Sequence, residues 1–122
     1  MKVNGGGEAA GSWVREFKGR ITVCDPAGTI LELNDAAAEG FASSGGRQLV
    51  GSNALDCHPE PARTQLSGLL KTGEVNAYTI ERDGVHRFIY QAPWYMGGEF
   101  GGLVELSVEI PHPLPHFVRE GG

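Results

Sequence analysis

At 122 residues the chain is long enough to bury one hydrophobic core and too short for two domains. Hydrophobic residues make up 40%, with no apolar run near the roughly eighteen residues a membrane helix needs, so a membrane span is not expected. A formal charge of −5, a pI near 5.3 and ten Lys and Arg scattered without a run argue against a nucleic-acid partner.

Residues 1–11 form a Gly-rich start, expected to be flexible, with no apolar stretch of the kind a signal peptide carries. Without an export signal, Cys24 and Cys57 read as reduced thiols of a cytoplasmic protein. Ala10, Trp13, Val14 and Phe17 recur at helical spacing and predict a short helix that Gly19 ends. Two β-rich runs, 21–25 and 29–33, flank Pro26-Ala27-Gly28 and predict a hairpin. Asn34-Asp35 can cap a helix through Ala36-Ala37-Ala38-Glu39, broken near Gly40. A small, polar stretch over 43–46 follows, and Gln48-Leu49-Val50-Gly51 reads as a single helical turn.

Pro59 and Pro61 suit the first turn of a longer helix whose Ala62, Leu66, Leu69 and Leu70 share a face and whose end is Gly73. Two strands, 74–82 and 85–95, meet at Asp83-Gly84, the dipeptide favoured by type I′ turns because both central residues need positive φ. Residues 103–110 alternate, with Val104, Leu106, Val108 and Ile110 on one face and Leu103, Glu105, Ser107 and Glu109 on the other. Pro111, Pro113 and Pro115 stop the pattern, giving a folded region over 12–110 and a proline-rich tail over 111–122. The order of elements predicts an α+β fold, a single antiparallel sheet with its helices on one face and a flanking helix at the N-terminus.

That order resembles the PAS fold, a five-stranded antiparallel sheet. Asp25-Pro26-Ala27-Gly28-Thr29-Ile30-Leu31-Glu32-Leu33-Asn34-Asp35-Ala36-Ala37 is similar to the first hairpin and capped helix of PAS domains. The segment from Leu49 through Gly51 and Asn53 to Cys57-His58-Pro59 is similar to the stretch that introduces their long helix. Cys57-His58-Pro59 and Pro115-His116-Phe117-Val118-Arg119 resemble a bacterial PAS subgroup found beside hemerythrin-like domains. The resemblance implies a sensory or signalling domain, not an enzyme, that binds a small ligand or contacts other proteins. A homodimer is the expected partnership.

Asp56, Cys57, His58 and Glu60 are expected at the start of the long helix, where N–H groups and the dipole can lower a thiol's pKa or hold an anion. The resemblance makes haem a candidate cofactor there, with His58 or Cys57 as ligand. The plainer reading has Cys57 as a small packing residue and His58 as a cap. Four closed metal ligands are not visible, so no metal site is expected. Flavin photochemistry of the light-sensing PAS kind needs a cysteine after the asparagine of Gly51-Ser52-Asn53, where this chain has Ala54. Tyr78, Phe88, Tyr90 and Trp94 are expected to line one sheet face beneath the helices, as a ligand pocket or as packed core. Arg87 could meet an acidic ligand if it pointed inward, but alternation places it opposite Phe88 and Tyr90, and it is expected in solvent. Trp13, Val14 and Phe17 either cover the domain's own sheet or meet a second copy; in the latter case they form the dimer interface. A ligandless dimerisation module is the remaining alternative.

Overall fold

The computed structural model describes residues 13–121, so the Gly-rich start and Ala10 lie outside the described residues. Helical geometry covers residues 13–15 and stops at a turn at Glu16, which leaves Phe17 beyond the helix, contrary to expectation. The first hairpin joins β1 (Arg20–Cys24) to β2 (Ile30–Leu33). Asp25 Oδ1 shapes its turn by accepting from the backbone N–H of Ala27 and of Thr29, both at 2.9 Å.

Asn34 caps α1 (Asp35–Gly40), its Oδ1 accepting from Ala37 N–H at 3.0 Å. Three short 3₁₀ turns follow, at Ala42–Ser44, Gly46–Leu49 and Ala54–Cys57. The long helix, α2 (Ala62–Thr72), starts later than the prolines suggest and ends at Gly73 with φ of +69°. The delay has a steric cause, since a residue ahead of proline is pushed out of helical geometry and both His58 and Glu60 precede one. Strands β3 (Asn76–Arg82), β4 (Val85–Met96) and β5 (Glu99–Ile110) complete a five-stranded antiparallel sheet in the order β2-β1-β5-β4-β3. Asp83 and Gly84 take φ of +53° and +78°, as a type I′ turn requires. Gly97-Gly98 makes the second tight turn, which starts β5 four residues before its alternation becomes visible in the sequence.

Leu66, Leu69 and Leu70 of α2 cluster with Cys24, Ile30, Leu33, Ala37, Ala54 and Leu103. Burial of each leucine side chain contributes about 1.5–3 kcal/mol. This cluster defines the helix side of the sheet. Cross-strand partners share a face, so Cys24 and Leu103 fix the orientation of every other strand position.

Candidate functional site

The turn singled out from the sequence is built locally. Asn53 Oδ1 accepts from Leu55 N–H at 2.8 Å and starts the 3₁₀ turn that ends at Cys57. Cys57 is exposed and its Sγ lies 3.8 Å from the Asn53 carbonyl oxygen. His58 is half-buried, with Nδ1 2.7 Å from the Ala54 carbonyl oxygen. Neither residue is on α2, which begins at Ala62, so the expectation of a thiol or imidazole at a helix N-terminus is corrected. Glu60 is the acidic residue that reaches that helix. Its carboxylate accepts from the Thr64 hydroxyl at 2.7 Å and from Thr64 N–H at 3.1 Å, and these bonds hold it below the usual carboxylate range.

The two thiols differ sharply. Cys24 is 5% exposed in the core, and burial pushes its thiol pKa up. A pKa raised by folding stabilises the native state below the ordinary thiol range, and that contribution is lost as pH rises through the folded value. Ellman's reagent at neutral pH should therefore titrate one thiol, Cys57, in the native chain and two in denaturant. Two fast-reacting native thiols would contradict the burial of Cys24.

The aromatic set does not gather on one face. Tyr78 pairs with Ile89, Ile89 with Ser107 and Ser107 with Arg20, all on the helix side. Phe88 pairs with Thr79 and Val108, and Tyr90 with Ala77 and Leu106, on the opposite side. The expectation that Phe88 and Tyr90 lie beneath the helices is thus corrected. Trp94 sits at a bulge between β4 and β5, its Nε1–H donating to the Cys24 carbonyl at 3.0 Å.

The helix side instead carries a polar row. Asn76 Nδ2 donates to Gln91 Oε1 at 2.9 Å, and Gln91 Nε2 donates to Glu105 Oε2 at 2.8 Å. Gln91 is 5% exposed, so these bonds are made where water does not replace them. Burial, and then the Glu105 charge, raise the pKa of Tyr78. Arg87 is half-buried on this side and bonded to Ser107, which corrects its expected place in solvent.

The far side is apolar where β1, β4 and β5 meet. Ile21, Tyr90, Ala92, Val104 and Leu106 border a cleft of about 310 Å³ that Trp13 and Phe17 close at 6.1 Å, edge to face. Trp13 is 65% exposed and Phe17 40%. Val14 is half-buried and its carbonyl accepts from Asn34 Nδ2 at 3.0 Å, which pins this segment to the domain.

Among the described residues no group of three His, Cys, Asp or Glu side chains is placed to hold a metal ion. Leu66, Leu69 and Leu70 pack α2 onto the buried cluster at Cys24 and Leu103, away from Cys57 and His58, and the cleft at Trp13 and Phe17 touches neither of those two residues. These residues do not fit a haem. No described helix is long and apolar enough to cross a membrane.

No family model matches the chain, and no curated protein matches it in sequence. Solved structures do match. The PAS domain of BvgS from Bordetella pertussis superposes with a TM-score of 0.64 at 17% identity, over 90% of each chain. The PAS domain of an HTR-like protein from Haloarcula marismortui gives 0.59 at 16% identity, over 84% of this chain and 90% of that one. The Aer2 receptor of Vibrio cholerae, described as a dual PAS-haem oxygen sensor, gives 0.57 at 21% identity, over 76% and 95%. The chain has the PAS fold, a five-stranded antiparallel sheet with helices on one face.

Proposed function

We propose that this chain is a sensory or signalling domain of the cytoplasm that holds a small molecule on the helix side of its sheet and pairs with a second copy through the other side. It works by binding and not by catalysis. The observation that carries this reading is the opposite character of the two sheet faces, with buried hydrogen-bonding side chains on one and exposed apolar side chains on the other. A polar row held in fixed geometry selects a ligand by its donors and acceptors. A flat apolar face flanked by two aromatic side chains has the composition of an interface core. A second copy suits that face because Ile21, Tyr90, Ala92, Val104 and Leu106 bring no charge to it, so the −5 formal charge of each chain is kept away from the contact.

Native mass spectrometry of the purified chain tests both halves. A dimer is expected, and the Trp13→Ala, Phe17→Ala double variant should weaken it at least 100-fold, since an interfacial aromatic hot spot is worth about 2 kcal/mol or more. A monomer at high concentration would remove the dimer half. A mass above that of the polypeptide would identify the ligand. A Soret band after haem addition that His58→Ala abolishes would replace the polar-ligand half with a haem site.

A further inference from the structure

Arg20 and Arg87 stand together on the helix side, and although Glu109 lies opposite Arg87 in the β4–β5 register, it forms no ion pair with it among the described residues. Register sets Arg20 opposite Ser107. Arg87 reaches the same serine from β4, with Nε 2.9 Å from Ser107 Oγ and Nη2 2.8 Å from its carbonyl oxygen. Those bonds fix the guanidinium plane and leave Nη1 uncommitted. Among the described residues neither arginine has a carboxylate within ion-pair distance; the ion pairs there belong to Arg15, Arg47 and His86. Burial, and then the nearby Arg20 charge, push the Arg87 pKa down, with Glu109 acting the other way. A guanidinium keeps its proton at any ordinary pH, so two half-buried like charges remain side by side.

A cleft of about 330 Å³ opens over both, bordered also by Lys18, Glu39, Gly40 and Glu109. Gly40, on its border, makes room for the Arg20 guanidinium, because a Cβ there would come within 2.5 Å of Arg20 Cζ.

We propose that this cleft binds a small monocarboxylate, held by the guanidiniums of Arg20 and Arg87. The assignment rests on the ligand half of the proposed function and specifies its chemistry. Three cationic and two acidic side chains border the cleft, a net of one positive charge that a carboxylate matches. A phosphate dianion would leave surplus negative charge beside Glu39 and Glu109. The volume lies at the low end of small-molecule sites, which suits a compact acid.

The test is an amide NMR titration of the full chain at pH 7 with sodium acetate, sodium benzoate and inorganic phosphate, at matched ionic strength. Acetate or benzoate should shift the Lys18, Arg20, Gly40 and Glu109 amides saturably, with phosphate at least tenfold weaker. Arg87→Gln and Arg20→Gln should each weaken carboxylate binding at least tenfold. If one of them fails to give a native spectrum, the other decides the question. Carboxylate shifts that do not saturate, binding unchanged in a folded variant, or phosphate binding as tightly would each overturn the assignment. Saturable shifts confined to Tyr78, Gln91 and Glu105 would overturn this cleft while leaving the general ligand reading standing. Should native mass spectrometry find a bound molecule that is not an acid, the carboxylate class fails and the ligand reading survives.

Discussion

Asn34→Ala should lower stability by about 3 kcal/mol or more, read as a fall in the urea midpoint of unfolding at an unchanged slope. Asn34 is 5% exposed and uses its whole side chain. Its Oδ1 accepts from Ile21 N–H and Ala37 N–H, both at 3.0 Å. Its Nδ2 donates to the carbonyls of Val14 at 3.0 Å and Gly19 at 2.8 Å. Loss of a cap alone costs about 1 kcal/mol, and each buried backbone group left without a partner adds about 1–3. Against a total of about 5–15 kcal/mol for a domain of this kind, that is a large share. Asn34→Asp separates the two halves of the network, because it keeps the acceptor and removes the donor. Its second oxygen would face the carbonyls of Val14 and Gly19 with no N–H to offer them, so part of the loss should remain. The network also ties the Trp13–Phe17 segment to the sheet, so folded Asn34 variants should dimerise more weakly. A midpoint within about 0.5 kcal/mol of the parent would refute the network, since only surface substitutions are normally that mild.

Asn34 was legible in the sequence because a cap is a local motif followed by alanines. The Asp83-Gly84 turn was legible for the same reason, and so was the α2 face of Leu66, Leu69 and Leu70. What local pattern does not carry is which side of a strand is covered. Residues 103–110 alternate cleanly, yet the covered side is the one with Glu105, Ser107 and Glu109, and the apolar Val104, Leu106 and Val108 face away from the helices. Hydrophobic patterning reads that backwards when the helices shelter a polar row and the apolar side is free for a partner. The separation of Tyr78 from Phe88 and Tyr90 is different, since the local sequence does carry it. A two-residue turn at Asp83-Gly84 sets Arg82 against Val85, and counting back sets Tyr78 against Ile89 and not against Phe88 or Tyr90. Gly97-Gly98 likewise signals a tight turn, and reading it so would have extended β5 to Glu99. The Arg20 and Arg87 cleft had no local signal. It arises because two strands from opposite ends of the chain meet β5 on either side of Ser107.

Gly102→Ala should be the most damaging single-methyl change in the sheet, costing about 2–5 kcal/mol from backbone strain and overlap together. Gly102 has φ of +128°, a conformation that L side chains rarely adopt. An added Cβ would overlap the Cys24 carbonyl oxygen and lie 2.7 Å from the Asp25 carbonyl carbon and 2.8 Å from its Cα. These are backbone atoms of the first turn and cannot swing aside as a flexible side chain would. The same Cys24 carbonyl accepts from Trp94 Nε1–H, so any displacement of it breaks that bond as well. Neighbouring Gly101 separates the effects, because the nearest atoms to its Cβ would be those of the Trp94 side-chain ring, at 2.6 Å, with no positive φ to satisfy. Gly98→Ala isolates the other contribution, having φ of +86° and nothing within 4 Å. Urea unfolding should therefore rank Gly102→Ala well below Gly101→Ala, with Gly98→Ala losing only about 1–2 kcal/mol of conformational strain. If Gly98→Ala and Gly102→Ala lost equal stability, the close approach of β5 to the Cys24–Asp25 backbone would be refuted. Because that approach sets Leu103 opposite Cys24, it also sets which strand positions face the helices, and with them the side on which Arg20 and Arg87 meet.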